Sequence, residues 1–559
     1  MSNLTARSKK KQLGAFYTPQ PMARSIVNWA VRSPDETVMD PGCGEAVFLL
    51  EAYQHLVELG ASAAQAVSQI QGVEVDEVAY DRACRLLTDA SGVGAPGIIC
   101  ADFFQVQLDL FGPPPVDVIV GNPPYVRYHH FKGAARRRAL QSARRAGVEL
   151  TRLTSSWAPY LIHAISFLKP GGRLAMVVPA ELLQVDYAEP VRRFLLERFA
   201  TVAVVTFDER VFPDVLEDTV ILLAESDGPA PGLRVIRLEN LDDLTELGQS
   251  LRDAPIARGA KHAQRWTRYL LPRDSLSVYQ TVVETGETTT LGELGTVDIG
   301  VVTGSNAYFL LTEAKTRWWE IEPDFLRPAA PKPRLMPGAR FSVQEWERLR
   351  DQSVPCYLLN CQLPPSVAAE HRVWSYIERG VEKGVHKGYK CRNREPWYTV
   401  PGVRVPPAFL TYMAHEIPRL IVNEAQVVNH NLIHGLYFHD EHEMSPEEIA
   451  IRVASFYTTF TMLSVELVGR SYGGGVLKLE TKESERIRLI EPSGPTRRRL
   501  IEALPLIDEH LRRRAFDDAL AIGDEILLLG QLAIDQAAYE QLCSAYQSIR
   551  GRRLSRAQS

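Results

Sequence analysis

With 559 residues the chain is too long for one ordinary core, so two or three domains are expected. Hydrophobic residues make up 45% and charged residues 23%, a globular balance, and no run of about eighteen apolar residues is present that would cross a membrane. The formal net charge of −5 announces no polyanionic partner by itself.

Met1 to Lys11 is polar and basic without an apolar stretch, which reads against a secretory leader. The cysteines are scattered (Cys43, Cys84, Cys100, Cys356, Cys361, Cys391 and Cys543), which suits reduced thiols in a cytoplasm better than a disulfide framework. Cys356, Cys361 and Cys391 show no paired CxxC spacing, so no metal site is expected.

From about residue 20 to 225, β-rich runs alternate with helical stretches. The runs are Thr37–Asp40, Gly72–Asp76, Gly97–Cys100, Val116–Asn122, Arg173–Pro179, Val202–Phe207 and Thr219–Glu225. Between them Ala46–Leu59, Glu77–Thr88, Trp157–Leu168 and Pro190–Phe199 show helical apolar spacing. This alternation predicts an open α/β sheet with helices on both faces. The last two runs have no helix between them and predict an antiparallel hairpin at the sheet edge. After about residue 285, Pro, Trp and Tyr become frequent and short strands are expected between turns, as in a second, α+β domain to about residue 490. Thr496–Gln547 reads as helical, with Leu500, Leu504, Ile507 and Leu511 on one stripe.

Four strand ends carry chemistry. Asp40-Pro41-Gly42-Cys43-Gly44 is a strand-to-helix turn whose glycines let the backbone approach a ligand closely. Glu74, in Gly72-Val73-Glu74-Val75-Asp76, ends the next strand, where an acid can accept from both hydroxyls of a ribose. The interval between these two sites is long, and Ala61–Gln71 supplies a lengthened helical connection. Ala101-Asp102-Phe103-Phe104 offers an acid and an aromatic to an adenine ring, or a strand-end cap and a core aromatic.

The fourth end is the most specific. Asp117-Val118-Ile119-Val120-Gly121-Asn122-Pro123-Pro124-Tyr125 is an apolar strand closed by Asn-Pro-Pro-Tyr. The prolines fix the backbone and donate nothing. The Asn122 side-chain oxygen and the Pro123 carbonyl can then accept from the two hydrogens of one NH2 group. An amine conjugated to a ring has a delocalised lone pair, and two acceptors on its hydrogens favour the pyramidal, nucleophilic form. Tyr125 offers a face for a planar base.

These residues, in this order, resemble the gamma-class amino-methyltransferases of DNA, the N6-adenine enzymes of restriction–modification systems. Gly14-Ala15-Phe16-Tyr17-Thr18-Pro19 resembles the family's cofactor motif before the first strand, and Val211-Phe212-Pro213 resembles its second aromatic for the target base. The resemblance covers about residues 12–225 and is complete at the tetrapeptide. It implies a seven-stranded class I methyltransferase (Rossmann-like) sheet, with a C-terminal α+β target-recognition domain and a helical tail. The corresponding bounds are 12–285 for a catalytic domain binding S-adenosylmethionine, 286–490 for target recognition and 491–559 for the tail. By the resemblance, Tyr17, Thr18, Asp40, Pro41, Gly42, Gly44, Glu74, Val75, Asp102, Phe103 and Asn122 would hold S-adenosyl-L-methionine. Asn122, Pro123, Pro124 and Tyr125 would activate the base, with Tyr125 and Phe212 stacking on it. In the downstream region, Gly300–Asn306, Arg394-Glu395-Pro396-Trp397-Tyr398 and Gly473–Leu479 are similar to the target-recognition region of the family.

The partners implied are double-stranded DNA and a cognate restriction endonuclease, with no membrane. The transfer would pass methyl directly to the flipped base, without a covalent enzyme intermediate. Asn-Pro-Pro-Tyr also suits cytosine N4, an RNA base or a glutamine amide. A bifunctional enzyme with a nuclease module and a non-catalytic DNA-binding or assembly subunit are the other readings. Arg127, Lys132, Arg136, Arg137, Arg138, Arg144, Arg145 and Arg152 crowd one stretch whose single acid is Glu149, and this is either a solvated helix face or a phosphate contact.

Overall fold

A computed structural model describes residues 18–94, 97–108, 112–126, 128, 130–208, 219–258, 265–440, 444–472 and 474–558. The chain divides into two compact units. One runs up to Leu270 and takes in Tyr472–Gly475 and the chain from Arg552, and the other comprises Leu271–Ser471 and Val476–Gly551.

The first unit is built on one sheet of nine strands. They are β1 (Val38–Asp40), β2 (Ile70–Glu74), β3 (Gly97–Cys100), β4 (Val116–Gly121), β5 (Leu168–Pro179), β6 (Phe199–Phe207), β7 (Thr219–Asp227), β8 (Leu233–Leu238) and β9 (Ile256–Ala257). Their order is β3-β2-β1-β4-β5-β7-β6-β8-β9. Strands β1 to β5 pair in parallel, and β7 runs antiparallel to both β5 and β6. The seven expected strands are present in a Rossmann-like methyltransferase arrangement. Their hairpin does not form the edge, because β8 adds parallel to β6 and β9 antiparallel to β8.

Helices α1 (Gln20–Ala30), α2 (Val47–Glu58), α3 (Ala63–Gln69), α4 (Glu77–Ser91), α5 (Gly133–Arg145), α6 (Trp157–Ile165) and α7 (Glu189–Arg198) surround the sheet. Each has a local cause. Met22, Ala23, Ile26, Val27 and Ala30 give α1 a buried stripe at helical spacing. The lengthened connection contains α3, capped by the Ser62 hydroxyl on Gln65 N–H. Asp76 caps α4 by accepting from Val78 and Ala79 N–H, and Gly92 ends it at φ +67°. In β4, Val118, Ile119 and Val120 are all fully buried, as a strand covered on both faces requires. The strand order reverses between β1 and β4, which opens a crevice at their C-terminal ends. Asp40 and Gly121-Asn122 stand at those two ends.

The second unit holds a mixed five-stranded sheet of Gly295–Ile299, His434–Phe438, Ala408–Leu410, Leu420–Asn423 and Arg340–Phe341, in that spatial order. It begins at Leu271, before the expected boundary of 285, because helix Arg273–Glu284 belongs to it. Nor is 491–559 a separate tail. Leu500, Leu504, Ile507 and Leu511 of helix Pro495–Arg512 share one core with Leu410, Leu420 and Leu436 of the sheet, so the helical stripe closes the α+β unit. Among the described residues, no helix is long and apolar enough to cross a membrane.

Candidate active site

The loop after β1 is shaped from beneath. The Asp40 carboxyl is 1% exposed and accepts from Gly42 N–H at 3.1 Å. It also packs against Gly121, where the φ is +144° and any Cβ would lie 2.5 Å from Asp40 Oδ1. Only glycine fits there, so the end of β4 is matched to the carboxyl at the end of β1. Asp40 therefore meets the loop rather than open space. Burial pushes its carboxyl up to about 7, Glu74 adds to the rise and the Gly42 N–H opposes it. Tyr160 of α6 donates its hydroxyl to the Pro41 carbonyl, and a Cβ on Gly42 would lie 2.5 Å from that hydroxyl. Cys43 is buried, and its thiol is pushed well above the ordinary range by burial and then by Asp40 and Glu74, so it is no nucleophile.

Glu74 closes the loop from β2. Its Oε2 accepts from Gly44 N–H at 2.9 Å, and its Oε1 accepts from Val75 and Asp76 N–H at 2.9 and 2.8 Å. Three backbone donors fix the carboxylate, and lone pairs remain for further donors. Val75 is 56% exposed beside it, an apolar surface at the rim.

The Asp102 turn is also anchored. Asp102 Oδ1 accepts from Phe104 N–H at 3.1 Å, and its Oδ2 receives the Arg138 guanidinium at 2.6 Å. Phe103 is buried against Tyr160, His163 and Phe167, with ring centroids 4.9, 4.5 and 5.4 Å away. It is a core aromatic here, and Phe104 is the more exposed ring of the pair. His163 Nε2 reaches the carbonyls of Phe103 and Val106 at 3.1 and 3.0 Å, and its Nδ1 meets the Ser142 hydroxyl at 2.6 Å. Burial lowers the imidazole's proton affinity, which keeps the ring neutral with its proton on Nε2.

Beyond β4, the Asn122 side-chain N–H donates to the Thr18 hydroxyl at 3.1 Å. The amide is thereby oriented, and its Oδ1 is buried with no hydrogen-bond partner among the described residues. An orphaned buried carbonyl oxygen costs free energy, about 1–3 kcal/mol, unless a ligand supplies the donor. Ser156 clamps the segment that follows. Its hydroxyl donates to the Pro124 carbonyl and accepts from Val126 N–H at 2.8 Å, and its own N–H donates to the Val126 carbonyl at 3.0 Å. Tyr125 is 6% exposed and donates its hydroxyl to the Val177 carbonyl of β5 at 3.0 Å, which anchors the far end of the ring. Tyr17 and Phe212 lie outside the described residues.

The structure thus gathers Thr18, the 40–44 loop, Glu74, Asp102 and Asn122–Tyr125 at the ends of adjacent parallel strands. Sequence reasoning missed Tyr160, His163 and Ser156, which hold those groups from a distance. In the second unit, Arg394 donates to the carbonyls of Thr303 and Val302, and Asn306 donates to Asn431 at 2.9 Å. The Gly300–Asn306 turn and the Arg394–Tyr398 segment are therefore one local structure. Cys356, Cys361 and Cys391 are buried free thiols.

Comparison with known proteins adds the lineage. Residues 1–258 match the N-6 DNA Methylase family, and residues 263–528 match the family described as Type II methyltransferase M.Eco57I, C-terminal domain. The chain is 23% identical to the Type II methyltransferase M.AccI of Acinetobacter calcoaceticus over 494 residues, 86% of each protein. It is 26% identical to the Type II methyltransferase M.XamI of Xanthomonas campestris pv. amaranthicola over 488 residues, 85% of each. Its fold resembles that of the Type IIL restriction-modification enzyme MmeI, with a TM-score of 0.57 at 12% identity, covering 95% of this chain and 75% of that one. With residues 1–258 matching the N-6 DNA Methylase family, residues 263–528 matching the M.Eco57I C-terminal domain family, and Type II methyltransferases similar over most of the chain, the findings support an N6-adenine DNA methyltransferase of restriction–modification systems.

Proposed function

We propose that the chain uses S-adenosyl-L-methionine to methylate N6 of an adenine flipped out of duplex DNA at a specific sequence, as the modification enzyme of a restriction–modification system with a cognate endonuclease. The observation that carries this is the buried Asn122 Oδ1, oriented by Thr18 and without a donor among the described residues. An exocyclic amine supplies the donor. The Pro123 carbonyl takes the amine's second hydrogen, since the Pro124 carbonyl is already engaged by Ser156. Together the two oxygens draw the amine towards the pyramidal geometry from which it attacks.

The residues beside the crevice fit the methyl donor. The fixed Glu74 carboxylate has lone pairs for ribose hydroxyls, and Val75 gives an apolar rim for an adenine face. In this reading Asp102 would accept from the adenine amine, and the glycines of the loop shaped by Asp40 would let the backbone approach the donor closely. When bound, the cofactor supplies an activated methyl group on a sulfonium, so the protein needs only to orient the amine and exclude water. Tyr125, with its hydroxyl anchored on β5, stacks on the extruded base, with Phe212 expected on the other side. The 271–551 unit serves target recognition in this reading.

The test is Asn122→Ala. Methyl transfer to duplex DNA is expected to fall at least a hundredfold, about 3 kcal/mol in transition-state stabilisation, with donor affinity by calorimetry retained. Near-normal turnover would remove the amine-activation role. Assays on duplex DNA, RNA and protein substrates, with base analysis of the product, separate adenine N6 from the other amines.

A further inference from the structure

The helix that follows the tetrapeptide carries chemistry that adenine activation does not use. Arg127 lies outside the described residues. Of the other cations between 127 and 152, Arg138 pairs with Asp102 and Arg144 with Glu149, at 2.6 and 2.9 Å. Lys132, Arg136, Arg137, Arg145 and Arg152 have no carboxylate partner among the described residues, and all but the half-buried Arg136 are exposed. In α5, Ala139, Ser142 and Ala143 form the buried face. At about 100° per residue, Arg137 points directly away from it. A solvated structural helix would intersperse acids among such cations. This one does not, in a chain whose net charge is −5. The charge is concentrated, unneutralised and held outward.

Its position adds to this. The basic stretch leaves the chain just after Tyr125 and is closed at its base by the two Val126–Ser156 hydrogen bonds. Its inner side is fastened by Arg138 to Asp102 and by Ser142 to His163. The cations therefore stand on an excursion fastened beside the tetrapeptide by Val126 and Ser156 and tied to the Asp102 turn by Arg138.

We propose that Lys132, Arg137, Arg145 and Arg152 grip the phosphate backbone of the duplex next to the extruded base. This rests on the reading of the chain as a DNA adenine methyltransferase. Guanidinium forks match phosphate oxygens, and contacts of this kind position the duplex without reading sequence.

The experiment titrates the full chain with fluorescent duplexes of several sequences between 50 and 200 mM KCl (about the range over which phosphate contacts are resolved). The proteins are wild type, the double variant Arg137→Ala/Arg145→Ala, and Glu149→Gln, which frees Arg144. Each lost phosphate contact lowers the slope of log affinity against log salt by about 0.9, so the double variant loses about 1.8. Its affinity drops alike on every duplex, with methyl-donor binding by calorimetry unchanged. Glu149→Gln moves the other way, with tighter binding and a slope steeper by up to about 0.9. If both variants keep the wild-type slope and affinity while the wild type binds and methylates DNA, this surface is not the grip. If the wild type itself neither binds nor methylates duplex DNA, the adenine reading fails instead.

Discussion

Ser156 uses one hydroxyl twice, as donor to the Pro124 carbonyl and acceptor from Val126 N–H. The tetrapeptide cannot do this for itself, because two prolines remove two backbone donors. With Pro124 engaged, Asn122 Oδ1 and the Pro123 carbonyl are the acceptors left to aim. Ser156→Ala leaves a buried carbonyl and an N–H without their partner and lets that aim drift. kcat is expected to fall about tenfold, with donor affinity within about twofold of wild type. Stopped assays and calorimetry check this, and an equal loss in both quantities would place Ser156 in the cofactor pocket instead. Asn122 to Tyr125 were legible in the sequence because their chemistry lies in consecutive residues at one strand end. Ser156 and Tyr160 were not, because each acts on a carbonyl far away in the chain, and neither a serine before a helix nor a tyrosine within one signals its partner. Asp40 was legible as an acid at a strand end, but its enclosure by Gly121 was not, since a glycine that only a carboxyl's packing requires looks like any other glycine.

At the element scale, the parallel strands were readable because strands buried on both faces are apolar throughout, as Val118–Val120 are. Strands β8 and β9 were missed. Leu233–Leu238 carries two arginines and is only partly buried, next to the edge strand Ile256–Ala257, which is two residues long. In the second unit many strands span two to five residues, too short for a period to show. The Asp102 turn is an element held by its neighbours, with His163 of α6 bridging it to α5 through Ser142. His163→Leu strips a donor from two carbonyls and a partner from a hydroxyl, all in a buried cluster. We expect a loss of about 2–4 kcal/mol in stability, seen as a lower calorimetric midpoint, with roughly tenfold weaker donor binding as the turn slackens. Wild-type donor affinity in a folded His163→Leu protein would show that the turn holds itself.

At the scale of the whole molecule, buried titratable groups of opposite habit share one pH window. Burial pushes Asp40 up to about 7 and Asp524 up to about 6, with hydrogen bonds from Thr459 at 2.7 and 2.6 Å opposing the latter. Burial pulls His430 down to about 4 and lowers His163 and His434 as well. A carboxyl raised in the folded state is protonated there while the unfolded chain has let its proton go. Its contribution is complete below about pH 4 and is lost as pH rises through 6 to 7. A lowered histidine does the reverse, because the unfolded chain binds a proton that the folded one refuses, so stability is lost as pH falls from about 6.5 towards 4. Between about pH 4.5 and 6.5 the two slopes oppose, each up to about 1.4 kcal/mol per pH per proton, so they partly cancel in the wild type. Single substitutions should expose the cancellation. Relative to wild type, Asp524→Asn should gain about 2 kcal/mol of stability from pH 4.5 to 7.5, because the variant has no buried carboxyl to ionise. His430→Phe should tilt the opposite way, gaining on the wild type as pH falls. Constant offsets from lost hydrogen bonds do not matter, because only the change with pH is read. Denaturant midpoints of the full chain measured across that range decide it. Variant curves running parallel to the wild type's would mean that these groups titrate folded as they do unfolded, and that the buried positions exert no hold on their protons.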